Sequence, residues 1–258
     1  MADSTDARQP AVRRRDALAL PAVLAGGLVV AGCGSMEGMR AMTGAESPPA
    51  SPTPEATQEV DQAPVTPPED LMREHGVLKR ILLIYREGIR RINAGEQVPA
   101  QALNAGARII RSFIEDYHEQ LEERYVFPRL VKAGKLTDIV PVLLLQHRRG
   151  RVVTGRIIAA TGGATPTASP GPAHQRLVAD MSAFIRMYEP HEAREDTVVF
   201  PALREVVPTK EFLEMADIFE DEEHRRFGAA GFTGVVNQVA DIEKTLGIYN
   251  LNQFTPRG

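Results

Sequence analysis

The stretch His118-Glu119-Gln120-Leu121-Glu122, with Phe127-Pro128 just beyond it, decides how this chain is read. It returns as His191-Glu192-Ala193-Arg194-Glu195 with Phe200-Pro201, and in both copies the Phe lies nine positions past the His (118 to 127, 191 to 200). Four-residue spacing puts each His and its second Glu on one helix face. Two such segments predict two metal-binding helices around one dinuclear centre.

The surrounding periodicity is helical. Ahead of the first copy, Leu71, His75, Leu78, Leu82, Tyr85, Ile89 and Ile92 follow in steps of four and three, the seam of a core-facing helix, and Asn93-Ala94-Gly95 stops it. A second helix over about 99–133 carries Leu103, Ala107, Ile110, Ile114, Tyr117 with His118, Leu121 with Glu122, and Tyr125; Gly134 ends it. A third, over about 136–160, carries Val140, Leu143, His147, Gly150, Thr154 and Ile157, with Pro141 either kinking it or sitting in its first turn. Gly162-Gly163 ends it, and a Pro/Thr/Gly-rich loop runs to Pro172. The fourth, over about 173–206, carries Leu177, Met181, Phe184, Tyr188, His191, Glu195, Val198 and Ala202, and Pro190 predicts a local kink. A shorter fifth helix spans about 210–227, and the tail holds one more apolar run over 235–246. No alternating run bounded by hairpin turns occurs. The expected fold is all-α: an up-down-up-down four-helix bundle with an extra C-terminal helix and a disordered N-terminal leader. The expected divisions are 1–33 (export signal), 34–67 (linker), 68–228 (bundle) and 229–258 (tail).

A helix with a lone His precedes each repeated segment: His75 lies 43 positions before His118, and His147 lies 44 before His191. The four histidines therefore fall into two equivalent halves. A carboxylate on a core stripe is costly unless something positive faces it, and no Lys or Arg is an evident partner on the stripes of Glu122 and Glu195. Imidazole with carboxylate suits iron, zinc or manganese. Six donors exceed the need of one tetrahedral zinc, and two ions bridged by two carboxylates use the set more fully. The candidate metal ligands are His75, His118, Glu122, His147, His191 and Glu195. A His-Glu-x-x-His zinc helix would need His where Glu122 and Glu195 stand. The ferritin-like pattern needs Glu-x-x-His on two helices, and only Glu115 with His118 has it.

In this order, His75, His118 with Glu122, His147, and His191 with Glu195 resemble the hemerythrin-like (HHE cation-binding) family in its four-His, two-Glu branch. The segments Pro190-His191-Glu192-Ala193-Arg194-Glu195-Asp196 and Glu222-Glu223-His224-Arg225-Arg226-Phe227-Gly228 are similar to the family as well. The resemblance spans about 70–228. It implies two non-haem iron ions, oxo- or carboxylate-bridged, with Glu122 and Glu195 as bridges and the four histidines as terminal ligands. It also implies open coordination positions for a small ligand: dioxygen, nitric oxide or peroxide. The expected function is binding or sensing of dioxygen or nitric oxide; a di-iron peroxidase or oxidase and a metal buffer are the alternatives.

The remaining features bound the setting. Net charge −4 and a pI near 5.9 give no reason to expect a nucleic-acid partner. The single cysteine, Cys33, excludes a disulfide within the chain and a thiolate metal cage. Arg13-Arg14-Arg15 precedes an apolar run over 17–30, the length of a signal core and short for a membrane span. That run ends in Val30-Ala31-Gly32-Cys33, which resembles a lipobox, and Arg14-Arg15 with Leu18 resembles a twin-arginine export signal. The expected location is outside the cytoplasm, anchored by lipid on Cys33 to the periplasmic face of a bacterial membrane. The Pro/Ser/Thr-rich stretch that follows reads as an extended spacer. His174 and the cluster Arg148, Arg149 and Arg151 read as surface, His224 as part of a solvated helix face, and Tyr117 and Tyr188 as core packing.

Overall fold

Thr66 turns the chain into its first helix, α1 (Pro67–Ala94). The Glu69 carboxylate accepts the Thr66 backbone N–H at 2.9 Å and its hydroxyl at 2.8 Å. Pro67 and Pro68 fill first-turn positions where no N–H is needed. Gly95, at φ 68°, ends the helix where an L side chain would be strained. The computed structural model describes residues 65–163, 171–256 and 258. The export signal, Cys33, the spacer up to residue 64 and the loop over 164–170 lie outside the described residues.

Beyond α1 come α2 (residues 100–132), α3 (Val140–Thr161), α4 (residues 172–206), α5 (Thr209–Phe227) and α6 (Gly231–Thr245). No strand occurs among the described residues, nor any helix long and apolar enough to cross a membrane. The third helix begins at Val140 rather than at 136. Leu136 sits at φ 52°, and Pro141 then falls in the first turn, where its missing N–H costs nothing.

Cross-helix pairs fix the bundle. Along α1 and α2, His75 faces His118 while Gly88 faces Leu103. Along α2 and α3, Glu119 meets Arg151 while Asn104 meets Thr161. Along α3 and α4, His147 meets His191 while Arg156 meets Asp180. Along α4 and α1, Asp196 meets His75 while Glu189 meets Arg86. In every pair one number rises as the other falls, so all four neighbours are antiparallel and α4 closes back on α1. This is the expected up-down-up-down bundle.

The helices past the bundle cover its α1–α2 side. Phe227 of α5 packs 5.3 Å from both Phe113 and Tyr117. From α6, Glu243 takes a two-point bond from Arg80 at 2.9 and 2.6 Å, and Val235 and Val239 are buried. That cover explains why Val77, Ile81 and Ile84, off the predicted seam of α1, are buried too.

Two core stripes depart from simple periodicity. The sequence expectation continues Glu195 with Val198 and Ala202, but the fully buried residues are Val199, Phe200 and Leu203. Likewise Val126, Phe127 and Leu130 are buried where Tyr125 was expected. In both places, Glu122–Val126 and Glu195–Val199, the helix widens to i→i+5 hydrogen bonding, which inserts one extra residue and advances the stripe. Pro128 and Pro201 follow at once. A proline has no N–H for the carbonyl four residues back and its ring collides with that carbonyl, so the turn before it opens. Pro190, by contrast, lies within the continuous helical run Pro172–Arg194, and the irregular turn falls after it.

Candidate metal centre

All six predicted donors are buried and meet inside the bundle. Donor atoms of His75, His118, Glu122 and Glu195 lie within 4.8 Å of one another, as do those of His147, His191 and Glu195. His75 and His118 form one pair, with ring centroids 4.7 Å apart; His147 and His191 form the other, at 5.0 Å. Glu195 Oε2 lies 3.4 Å from His75 Nε2 and 3.1 Å from His191 Nε2, and Glu122 Oε2 lies 3.6 Å from both His118 Nε2 and His147 Nε2. Each carboxylate thus stands between the two histidine pairs, where a bridge belongs.

The outer nitrogens fix the rings. His75 Nδ1 bonds Asp196 Oδ1 at 2.7 Å, His118 Nδ1 bonds Glu74 Oε2 at 2.8 Å, His147 Nδ1 bonds Glu123 Oε1 at 3.0 Å, and His191 Nδ1 bonds Gln146 Oε1 at 2.8 Å. These oxygens are acceptors, so each Nδ1 carries the hydrogen and each Nε2 is left as a lone pair aimed inward. The bonds close a ring: Glu74 on α1 holds a ring of α2, Glu123 on α2 one of α3, Gln146 on α3 one of α4, and Asp196 on α4 one of α1. None of these four was singled out from sequence. The available signal was adjacency: each neighbours a candidate ligand in the chain, and about 100° further round a helix points at the next helix.

The arrangement repeats at a spacing of 72 or 73 residues (75 to 147, 118 to 191, 122 to 195). Phe127 covers the ring of His147 at 5.7 Å, and Phe200 covers His75 at 5.6 Å, so the Phe of each repeated motif shields the lone histidine of the next helix. Lys79 stands 3.7 Å from Glu192 and 3.4 Å from Asp196; its counterpart Arg151 stands 2.7 Å from both Glu119 and Glu123. Arg151 is therefore not part of a solvated basic face, as its sequence neighbours Arg148 and Arg149 led one to expect. One turn past His147, it leans inward against two carboxylates. His224 is exposed, with Nδ1 bonded to its own helix at the Glu220 carbonyl, as the solvated-face reading has it.

The donor set fits a cation. Both oxygens of Glu122 and of Glu195, and His118 Nε2, are buried without a hydrogen-bond partner. His147 Nε2 and His191 Nε2 are 3.2 Å apart. Lone pairs facing lone pairs and carboxylates in a dry core repel unless positive charge lies between them. The same demand appears in the proton affinities. Burial, and then the charge of Glu195, push the Glu122 carboxyl well above its ordinary value. Burial also acts to raise Glu195, but the His191 and His75 imidazoles hold it well below. Burial acts to lower His75, yet the Asp196 and Glu195 carboxylates raise it to about 9. Protons are thus drawn to Glu122 and His75, while burial and then the charge of His75 hold His118 well below its ordinary value.

A model of the hemerythrin HHE cation-binding domain matches residues 66–203, just over half of the chain. Uncharacterized proteins of Mycobacterium tuberculosis and Mycobacterium bovis are 61% identical over 246 residues, covering 95% of this chain and 92% of theirs. No solved structure matches it.

Proposed function

The chain belongs to the hemerythrin HHE cation-binding family, and we propose that within it this protein is a non-haem di-iron protein that binds or senses dioxygen or nitric oxide. His75 and His118 would hold one ion and His147 and His191 the other, with Glu122 and Glu195 shared. Iron, when bound, supplies reversible coordination of a diatomic ligand at positions the protein leaves open. The chain's own part is to aim the lone pairs, balance the charge and keep water out. Asp196, Glu74, Glu123 and Gln146 lock the rings, and Phe127 and Phe200 shield them. The observation that carries this reading is the convergence of four inward-aimed Nε2 atoms on two buried carboxylates that have no other partner.

A second reading, a di-iron redox enzyme of peroxidase or oxidase type, is favoured by one contact: the Tyr188 hydroxyl donates to Glu119 at 2.6 Å, beside the ring of His191. The setting we propose is the cell envelope, with export through the Arg14-Arg15 signal and lipid on Cys33.

Metal analysis with absorption spectra under argon, air and nitric oxide tests the proposal. Two irons per chain and a charge-transfer band that appears in air and reverses under argon are expected for a carrier or sensor. Steady peroxide consumption with an electron donor moves the assignment to the enzyme. One zinc per chain, with no affinity for iron, removes both. For the location, Cys33→Ala should release the protein from the membrane fraction; unchanged membrane association overturns the lipid anchor.

A further inference from the structure

The two halves of the site are near copies, and at one of the positions where they differ a phenol replaces a carboxylate. Tyr188, one turn before His191, has Glu115 as its counterpart one turn before His118 (115 to 188). Tyr188 is fully buried; its ring meets that of His191 edge-on at 5.3 Å, and its hydroxyl donates to Glu119 Oε1 at 2.6 Å. Glu119 is itself buried and is held through Oε2 by Arg151 at 2.7 Å. The other half has the carboxylate, Glu192, and the cation, Lys79, but Glu115 stands in place of the phenol, and the buried phenol of that half, Tyr117, faces Glu74 instead.

The phenol's place is built rather than incidental. A Cβ at Gly150, in the middle of α3, would overlap the Tyr188 hydroxyl. A mid-helix glycine costs about 1 kcal/mol relative to alanine, and here it clears the path by which the hydroxyl reaches Glu119. In the other half, where Glu115 stands in place of Tyr188, the equivalent of Gly150 is the fully buried Leu78.

We propose that Tyr188 is a one-electron donor to the dinuclear site, with Glu119 taking its phenolic proton; this rests on the dinuclear metal reading above. The Tyr188 O–H bond breaks, an O–H bond forms at Glu119 Oε1, and one electron leaves the ring past His191 for the oxidised site. The co-reactant is a peroxide: its O–O bond breaks to give two waters, which takes two electrons, one from Tyr188 and one from a ferrous ion of the site, and two protons from solvent. Arg151 keeps Glu119 in place to receive the proton. The relay enters through the half that contains His147 and His191.

The experiment loads the full chain with ferrous iron, counts the iron, adds hydrogen peroxide without air and records electron paramagnetic resonance on the frozen sample. A tyrosyl radical is expected in the wild type and in Tyr85→Phe, and its loss in Tyr188→Phe at equal iron content. Gly150→Ala, which parts the pair without changing either member, should lose the signal as well, and Glu119→Gln should lower its yield. If Tyr188→Phe fails to hold iron, spin trapping in the wild type with peptide mapping decides, and the adduct is expected on residue 188. Two irons without a tyrosyl radical, an undiminished signal in Tyr188→Phe, or an adduct on another tyrosine overturns the relay alone. A chain that holds no iron overturns the metal reading and the relay with it.

Discussion

Glu74 Oε2 accepts the Nδ1–H of His118 at 2.8 Å across the α1–α2 interface, while the next residue in the chain, His75, aims its own ring at the centre. One turn of backbone thus supplies a donor to the site and a clamp for a donor on another helix. Such clamps fix ring orientation and tautomer, and their loss typically weakens metal binding by about 10–100-fold. Glu74→Ala and Asp196→Ala should each lower metal affinity in that range, read by chelator competition, with Glu74→Gln closer to wild type because its amide oxygen still accepts. Unchanged affinity in both alanine variants would show that the rings are held by packing alone.

Glu122 burdens the metal-free protein. Burial and the nearby Glu195 charge raise its carboxyl above the ordinary value near 4.5, so the folded state binds a proton more tightly than the unfolded. That stability is present below about 4.5 and declines as pH rises above it. Glu122→Gln should therefore stabilise the metal-free protein at pH 8 by about 1–3 kcal/mol, the scale of an unsatisfied buried polar group, while abolishing two-ion binding. Denaturant melts of both forms after chelation check it; a less stable metal-free variant would contradict it.

His75 gives metal uptake a pH signature. With its value raised from 6.5 to about 9, it adds stability to the metal-free fold that is complete below 6.5 and lost as pH rises through 9. A metal must displace that proton, so loading at pH 7.5 in weak buffer should release protons, and apparent affinity should climb between pH 6.5 and 9. Calorimetry in buffers of different ionisation heat measures the release. An uptake with no proton release would mean that His75 is already neutral or is not a ligand.

The Phe-Pro pairs are assigned a mechanical task. Pro201→Ala restores an N–H and removes the ring clash with the Thr197 carbonyl, allowing the widened turn Glu195–Val199 to relax towards an ordinary helix. Glu195 then shifts out of register. Loss of about 1.4 kcal/mol of positioning lowers metal affinity about tenfold, with helix content by circular dichroism unchanged. Wild-type affinity in both Pro201→Ala and Pro128→Ala would leave the open turns without a role.

The outer helices provide a control. Arg80→Ala leaves the buried Glu243 carboxylate without its two-point partner and should cost about 1–3 kcal/mol of stability, with metal affinity unaltered. A parallel loss of metal would couple α6 to the centre.

The sequence alone determined the helices, the bundle and the inward faces that bring six histidine and glutamate side chains together, because i, i+4 spacing and seam periodicity are local properties that a helix converts directly into faces. It also implied two equivalent halves through the repeat of the His-Glu-x-x-Glu motif. Tertiary structure alone decided the ring of clamps from Glu74, Glu123, Gln146 and Asp196, the inward turn of Arg151 and the link from Tyr188 to Glu119. Each joins residues on different helices, and a periodic pattern states which face a side chain occupies but not what the neighbouring helix places opposite it. The one-residue advance of the stripe after Glu122 and Glu195 belongs to the same class: it depends on how the backbone resolves a proline clash, and a count at 3.6 residues per turn cannot register an extra residue.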